Sequence, residues 1–352
     1  MDTTSMRPDR HAGSERSRPL VALTGATGFT GSAIARRLLA DGYGVRALVR
    51  RAQVRREMHS QIETVVGSLS DRAALAELVT GAELVIHVAS MYRTEAARER
   101  FFEVNHEGTV HLLEAASAAG VRRFVSCSTI GVHGHVDTSP ANEDSPCAPR
   151  DHYQESKLLA EHACRKVMAE GRMEVVIVRP CAIYGPGDTR MLKMFRMLSR
   201  GMFVMIGEGR ANFHPVYIDD LVEGFMKTLT VPEAAGETFI IGGARYLPLA
   251  EYVTLAAQAL GTVPPKIRLP YGLMEAAALG CEALCKPFGL SPPLHRRRLR
   301  FFKHNRAFSI EKARRMLGYQ PRVDLEEGFR RTVESYRSQR LLPLIARQSR
   351  SA

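Results

Sequence analysis

The stretch Leu20-Val21-Ala22-Leu23-Thr24-Gly25-Ala26-Thr27-Gly28-Phe29-Thr30-Gly31 decides the fold of this 352-residue chain. Its first five residues form an apolar run, which is typical of a strand buried on both faces. Three glycines follow at three-residue spacing, and apolar residues then recur at helical spacing until Gly42. A strand, a glycine turn and a helix in this order form a site for a dinucleotide pyrophosphate. The predicted contacts are Gly25, Thr27, Gly28, Phe29, Thr30 and Gly31.

Strands and helices keep alternating over about 160 residues, which is the pattern of a parallel sheet with crossover helices. Further strands are predicted at 45–49, 64–66, 84–88, 123–126 and 174–178, and helices at 73–78, 104–119 and 152–169. We interpret the pattern as seven β/α units. The predicted fold class is therefore α/β, a doubly wound parallel sheet of the Rossmann type.

Beyond residue 180 the pattern changes to loops rich in Gly and Pro, short helices and isolated strands such as 238–241. We therefore expect a dinucleotide-binding domain at 20–180. A smaller C-terminal α/β substrate-binding domain is expected at 181–340, partly interleaved with the first. Residues 1–19 lack the apolar run of a signal peptide and are expected to be a disordered tail, as are residues 341–352.

Composition restricts the function classes. The 45% hydrophobic and 24% charged residues are typical of a soluble globular protein, and six cysteines without a Cys-x-x-Cys pair favour a reducing, cytoplasmic location. Residues 286–352 hold seventeen Lys or Arg and five Asp or Glu, which accounts for the whole net charge of +12. Because no nucleic-acid motif accompanies this local excess, we predict no nucleic-acid partner. The histidines lack a metal-ligand spacing, so no metal is predicted.

A candidate catalytic group lies in the middle of the chain. Tyr153 and Lys157 are four residues apart on one predicted helix, so their side chains emerge on the same face. A nearby ammonium stabilises a phenolate and makes a tyrosine usable as a general acid or base. Ser128 and Thr129 end the preceding strand, on the edge of the sheet where ligands bind, and we expect their hydroxyls to hold a substrate oxygen.

Five stretches together resemble the extended short-chain dehydrogenase/reductase family, also called the NAD-dependent epimerase/dehydratase superfamily, from Leu20 to about Tyr336. They are Thr24-Gly25-Ala26-Thr27-Gly28-Phe29-Thr30-Gly31, Val104-Asn105-His106-Glu107-Gly108-Thr109, Ser128-Thr129 before Val132-His133-Gly134, Tyr153-x-x-x-Lys157 and Arg179-Pro180-Cys181-Ala182-Ile183-Tyr184-Gly185-Pro186-Gly187-Asp188. The resemblance implies a nicotinamide cofactor and hydride transfer at a secondary alcohol or ketone. It also implies a homodimer formed through two paired helices.

The resemblance implies residue roles as well. Tyr153 is the acid/base, Lys157 holds the cofactor ribose and lowers the tyrosine pKa, and Thr129 orients the substrate oxygen. Ser68 stands where the family often has an aspartate near the adenine. The other implied cofactor contacts are Leu69, Val88, Ala89, Ser90, Pro180 and Ile183.

The residues after the second strand bear on the choice of cofactor. An NAD-specific fold usually places a carboxylate there, whereas an arginine accepts the 2′-phosphate of NADP. This strand ends in Val49-Arg50-Arg51, so we favour NADP over NAD, with Arg50 as the contact. A solvated loop is the alternative role for these arginines.

Two positions separate the branches of the family. Nucleotide-sugar members commonly carry an asparagine where this chain has Ala182 and an arginine where it has Phe213, and the loss of that arginine removes a bidentate donor to a diphosphate. Arg210 lies close enough in sequence to compensate in part. Residues 269–303 look like the apolar helix and basic stretch of 3β-hydroxysteroid dehydrogenase-like members, and they suit contact with anionic lipid. The alternative is that this helix packs on the core.

Three hypotheses follow. The first is an NAD(P)-dependent oxidoreductase that acts on an apolar alicyclic, sterol-like alcohol or ketone, in the cytoplasm or associated with a membrane. The second is a nucleotide-sugar epimerase or dehydratase that retains tightly bound NAD. The third is a non-catalytic dinucleotide-binding scaffold.

Overall fold

The structure is a computed structural model that describes residues 19–92, 96–136, 139–288, 290, 292–294 and 296–342. The two predicted tails lie outside the described residues, apart from residue 19 and residues 341–342. No helix within these ranges is long and apolar enough to cross a membrane.

The described residues form strands, α-helices and a few shorter helical turns. The strands are β1 (Leu20–Thr24), β2 (Gly44–Val49), β3 (Ile62–Val66), β4 (Leu84–His87), β5 (Arg123–Cys127), β6 (Glu174–Pro180), β7 (Ala182–Tyr184), β8 (Met205–Ile206), β9 (Asn212–Phe213), β10 (Pro215–Tyr217), β11 (Thr238–Ile241), β12 (Leu247–Pro248) and β13 (Arg268–Leu269). The helices are α1 (Phe29–Ala40), α2 (Arg72–Val79), α3 (Arg98–Phe102), α4 (Gly108–Ala118), α5 (His152–Glu170), α6 (Leu192–Ser199), α7 (Ile218–Thr230), α8 (Leu249–Leu260), α9 (Tyr271–Cys285), α10 (Arg296–Lys303), α11 (Glu311–Leu317) and α12 (Leu325–Ser338). Short 3₁₀ turns lie at Ala52–Glu57, Ile130–His133, Pro232–Ala234 and Lys286–Phe288.

Seven parallel strands form the central sheet in the order β11-β6-β5-β4-β1-β2-β3. The chain moves from β1 outward to β3, and then returns to β4 on the other side of β1. This reversal leaves a crevice at the carboxyl ends of β1 and β4, which is where ligands bind in open α/β sheets. The predicted doubly wound Rossmann class is confirmed.

The seventh strand of this sheet differs from the sequence-based expectation. Only six strands of the sheet lie within residues 20–180, and the seventh is β11, which pairs with β6 in register Thr238↔Ile177. The prediction that residues 238–241 form an isolated strand is therefore wrong, since β11 is the edge strand of the central sheet. Nothing in the sequence pattern indicates that the chain returns to the same sheet after the long connection that follows β6.

Both faces of the sheet are covered, as a doubly wound fold requires. Alternate residues of β1 point into two different cores. Val21 and Leu23 pack in a cluster with Ile34 and Leu38 of α1, and Ala22 packs in a cluster with residues of α2 and α4. The first cluster continues into α8 and α12 beyond residue 180, so the two predicted domains share one core.

The helix predicted at 104–119 is interrupted. It begins as α3, passes through a π-helical turn at Glu103–Glu107 and continues as α4. The Thr109 hydroxyl donates to the Asn105 carbonyl, and the Asn105 side chain bonds outside the helix. π-turns often mark functional sites because they rotate a side chain out of the regular ladder.

Arg123 joins the end of α7 to the sheet. Its buried guanidinium donates to the carbonyls of Thr228 at 2.9 Å and Val231 at 2.7 Å, and to Glu174 at 2.6 Å. The last carbonyls of a helix have no partner within the helix, so a buried arginine can satisfy them.

We expect Arg123→Met to lower the free energy of unfolding by about 2–4 kcal/mol, because it leaves these buried carbonyls without donors. The adjacent Arg122 is 46% exposed and forms surface ion pairs, so Arg122→Met should cost less than about 1 kcal/mol. Urea unfolding of both variants checks the difference. Equal losses would contradict the role given to Arg123.

Candidate functional site

The glycine turn between β1 and α1 is packed too closely for any side chain at two positions. Gly25 has φ +78°, and a Cβ there would lie 2.7 Å from the Ala89 nitrogen. A Cβ on Gly31 would lie 2.1 Å from the Gly25 carbonyl oxygen. Both contacts are sterically forbidden, so the turn and the close approach of α1 to β1 both require glycine.

The N-terminus of α1 is open toward the crevice. Gly28 is its N-cap, and no side chain caps it with a hydrogen bond within the described part of the chain. Thr27 and Gly28 are exposed, whereas Thr30 and Gly31 are buried. Free helical N–H groups beside a glycine turn fit a pyrophosphate, so these residues are compatible with a bound dinucleotide.

A buried histidine connects the ends of β1 and β4. The Thr109 hydroxyl donates to a carbonyl, so it must accept from His87 Nε2 at 2.9 Å. His87 Nδ1 therefore accepts from the Thr24 hydroxyl at 2.7 Å, and the Thr24 oxygen accepts the Ala89 N–H at 3.2 Å. Burial, with the charge of Lys157 nearby, lowers the pKa of His87 to about 3. The imidazole is thus a neutral brace that fixes the start of the loop after β4.

Asn105 extends this network to the predicted catalytic helix. Its Oδ1 accepts the Met91 N–H at 2.6 Å, and its Nδ2 donates to the Met91 carbonyl at 3.0 Å and to the Ser156 hydroxyl at 3.0 Å. Ser156 in turn donates to the Tyr153 carbonyl at 2.8 Å. Asn105 therefore fixes the position of the loop after β4 relative to the beginning of α5.

The structure brings Tyr153, Lys157 and Thr129 together, as predicted. Asp151 caps α5 by accepting the Gln154 N–H at 2.9 Å, which begins the helix just before Tyr153. The Tyr153 side chain lies beside Thr129, close enough for the threonine hydroxyl to influence its pKa, and Lys157 lies one turn further along α5, 2% exposed. The Thr129 hydroxyl therefore lies where it could share a substrate oxygen with Tyr153, as the predicted role requires.

Burial dominates the electrostatics of this group. It raises the pKa of Tyr153 well above the ordinary value, with Cys127 and Tyr92 adding to the shift, and the Thr129 hydroxyl only partly opposes it. Burial also lowers the pKa of Lys157. Tyr153 is consequently a protonated phenol in this state, which suits it to donate a proton.

Ser128 does not join Thr129. Its hydroxyl donates to Glu161 Oε1 at 2.5 Å, and Glu161 forms a buried ion pair with Arg179 at 2.7 Å. Burial alone would raise the pKa of Glu161, but Arg179 and Ser128 outweigh it and hold that pKa below its usual value. The predicted substrate contact of Ser128 does not fit this geometry, because neighbouring residues of a strand point to opposite sides.

The other predicted cofactor residues surround the crevice or lie behind it. Val88 and Ala89 are half-buried and Ser90 is exposed, on the loop after β4. Arg50 is exposed directly after β2, and the Ser68 hydroxyl bonds that of Ser70. The remaining three are Leu69, buried against Gly108, Pro180, buried at the end of β6, and Ile183, half-buried in β7.

Sequence reasoning missed three residues of this site. His87 and Asn105 carry the polar network, and Tyr92 packs its ring edge-on to Tyr153 with centroids 4.8 Å apart while remaining 41% exposed. A histidine at the end of an apolar strand was the available signal for His87. Within the described ranges, no three His, Cys, Asp or Glu side chains are grouped to hold a metal ion.

The pKa of His87 predicts a pH dependence of stability. Below about pH 6.5 the unfolded chain protonates this histidine, whereas the folded chain does not until about pH 3. The free energy of unfolding therefore decreases as the pH is lowered through this window. One such proton contributes about 1.4 kcal/mol per pH unit. Glutamine retains a donor and an acceptor, so His87→Gln should make the slope shallower by that amount in urea unfolding between about pH 4 and 6. Identical slopes would contradict the assignment.

Comparison with known proteins gives a consistent result. Residues 21–242 match the NAD dependent epimerase/dehydratase family. A 3-beta-hydroxysteroid dehydrogenase from Mycolicibacterium neoaurum is 31% identical over 333 residues, which cover 90% of this chain and 91% of that protein.

Solved structures show the same fold. The crystal structure of gox2253 superposes with a TM-score of 0.79 at 31% identity, covering 92% of this chain and 99% of that one. DesIV, a dTDP-glucose 4,6-dehydratase from Streptomyces venezuelae solved with NAD and TYD bound, gives a TM-score of 0.73 at 27% identity over 91% and 98% of the two chains. The resemblance expected from the motifs is confirmed, and this chain belongs to the NAD-dependent epimerase/dehydratase family, the extended short-chain dehydrogenases/reductases, as an enzyme with 3β-hydroxysteroid dehydrogenases among its relatives.

Proposed function

We propose that this enzyme is an NAD(P)-dependent oxidoreductase that interconverts a secondary alcohol and a ketone on an apolar alicyclic, 3β-hydroxysteroid-like or sterol-like substrate. The observation that carries the proposal is the position of the Tyr153 hydroxyl beside the Thr129 side chain, with the buried Lys157 one turn further along the same helix. The 3β-hydroxysteroid dehydrogenase relative supports the substrate class. Because dehydrogenases are among the relatives, the non-catalytic scaffold is no longer favoured.

The chain's own residues supply proton transfer and orientation. When bound, the nicotinamide supplies the hydride acceptor or donor. The Thr129 hydroxyl holds the substrate oxygen, and the Tyr153 phenol donates its proton to that oxygen during ketone reduction. In alcohol oxidation the same phenol oxygen accepts the proton. Lys157 holds the cofactor ribose, and its ammonium favours the phenolate that ketone reduction leaves and that alcohol oxidation requires.

The environment of Phe213 supports an apolar substrate over a nucleotide sugar. Phe213 is 6% exposed, and its ring packs edge-on to Tyr252 at 4.7 Å and to Phe301 at 5.4 Å. The position that commonly carries an arginine in nucleotide-sugar members is thus part of an aromatic core. A diphosphate finds no bidentate donor there.

A nucleotide-sugar epimerase or dehydratase with tightly bound NAD remains the second candidate. Arg210 and Lys303 both line a cavity of about 480 Å³, together with the aromatic side chains Tyr271 and Phe302. Two cations beside aromatic rings could bind a nucleoside diphosphate. The likeness to DesIV is compatible with this candidate.

We further propose a homodimer in which α4 and α5 of one protomer pack against α4 and α5 of its partner. A groove of about 380 Å³ lies between these helices, lined by Leu113, His106, Leu159, His162 and Val167 among others. Apolar side chains along two adjacent helices provide a self-complementary surface for a two-fold contact. A cytoplasmic location is retained as part of this proposal.

Replacing Tyr153 tests the chemistry. Tyr153→Phe keeps the ring but removes the proton donor, so we expect turnover to fall at least about a hundredfold while dinucleotide affinity stays within about twofold. Tyr43→Phe, at a half-buried tyrosine after α1, is the matched control and should keep full turnover. Steady-state rates with sterol alcohols and fluorescence titration of the cofactor measure the two effects. Retained turnover in Tyr153→Phe would overturn the assignment.

Dinucleotide titration tests the cofactor and the second candidate. We expect the protein to bind NADP more tightly than NAD and to ignore UDP, and Arg50→Glu should weaken NADP binding about tenfold while leaving NAD binding nearly unchanged. Isothermal calorimetry measures all three ligands. Tightly retained NAD together with UDP binding would establish the nucleotide-sugar enzyme instead.

A further inference from the structure

Helix α9 presents an apolar face that no other part of the described chain covers. Among its fifteen residues only Ala278 is buried. At 100° per residue the eight exposed apolar or glycine positions fall within a sector of about 160°. They are Gly272, Leu273, Ala276, Ala277, Leu279, Gly280, Ala283 and Leu284.

No charged residue of α9 lies in this sector. Glu275 and Glu282 both project from the other side of the helix, and Glu282 is paired with Arg296 at 2.9 Å. A Cβ placed on Gly272 or on Gly280 meets nothing within 4 Å, so the face is open at both positions. Leu273 is 61% exposed and Leu284 is 74% exposed.

Exposed apolar side chains are concentrated around this helix. Seven of the eleven large hydrophobic side chains that are exposed in the described chain fall within residues 263–290. Besides three leucines of α9 they include Val263 and Ile267 before the helix, and Phe288 and Leu290 after it. Scattered exposed leucines need no explanation, but a continuous segment of them indicates a binding surface.

The charges around this face favour an anionic partner. Residues 263–303 contain eight Lys or Arg and two Glu, and Lys266, Arg268 and Lys286 are exposed on either side of α9. A two-fold contact between two copies would bring these basic surfaces together, and their repulsion disfavours self-association. A bilayer containing anionic lipid offers apolar chains to the leucines and negative headgroups to the cations.

We propose that the exposed face of α9 lies in the headgroup region of an anionic bilayer, as a peripheral contact with the flanking basic residues on the lipid headgroups. Tyr271 begins α9 and also lines the 480 Å³ cavity with Phe302. An apolar molecule leaving the bilayer along α9 therefore reaches this cavity directly. That route for a substrate rests on the proposed function, whereas lipid binding itself does not.

Vesicle flotation of the full chain tests the contact. We expect binding to vesicles of phosphatidylcholine with about 30% phosphatidylglycerol to exceed binding to phosphatidylcholine alone by at least about tenfold, and to weaken with added salt. Leu273→Glu combined with Leu284→Glu should reduce binding about tenfold or more, because it places two carboxylates in the apolar face.

A matched pair of single substitutions separates this face from surface charge in general. Ala277 of α9 and Ala76 of α2 are both exposed helical alanines. Ala277→Glu should weaken vesicle binding severalfold, whereas Ala76→Glu should leave it nearly unchanged. Circular dichroism and retained dinucleotide affinity verify that each variant is folded.

Two results would overturn the proposal. The first is a wild-type protein that does not float with the anionic vesicles. The second is a protein whose oligomer, measured by light scattering, dissociates on Leu284→Glu, since this would assign the face to a second copy of the chain. Flotation of Tyr153→Phe should equal that of the wild type, so the lipid contact and the proposed reaction fail independently.

Discussion

The site depends on one buried chain of hydrogen bonds that runs from Thr24 through His87 and Thr109 to Asn105. It joins the carboxyl ends of β1 and β4 to α4 and, through Asn105 and Ser156, to the first turn of α5. Each member is satisfied on both sides, so the network adds order without leaving a buried polar group unpaired. Because the crevice lies between β1 and β4, the same chain sets the position of the Tyr153 phenol relative to the glycine turn.

Helix α5 connects this network to the interior of the sheet. Tyr153, Lys157 and Glu161 follow one another at four-residue spacing, so they form a single stripe along the helix. The first reaches Thr129, the second is buried, and the third forms the ion pair with Arg179 of β6. A buried ion pair contributes little net stability, but removing one partner is costly, so it fixes how α5 sits on the sheet. Ser128 donates to Glu161 of this ion pair, whereas Thr129 lies beside Tyr153.

Local rules predict the parts of the site that depend on local geometry. The spacing of Gly25 and Gly31 follows from a turn in which no Cβ fits, and Asp151 before an amphipathic run predicts the start of α5. The contrast between Ser128 and Thr129 could not be predicted, because alternation along a strand does not reveal which face meets the ligand. His87 pairs with residues 63 positions before it and 22 after it, so its role depends on strand order. The same reason hid β11, whose place in the sheet depends on a crossover of more than fifty residues.

The aromatic core around Phe213 is the packing observation on which the proposed choice of an apolar substrate rests. Tyr252 contacts Phe213 on one side and Phe329 of α12 on the other, with ring centroids 5.0 Å apart in the second pair. An arginine at position 213 would place an unpaired guanidinium among these rings, at a cost of several kcal/mol. A single substitution to arginine therefore does not create a diphosphate-binding site at this position. Phe301 completes this core from α10, the helix whose Arg296 is paired with Glu282 of α9. One short helix therefore connects the aromatic packing around Phe213 with the exposed apolar face of α9.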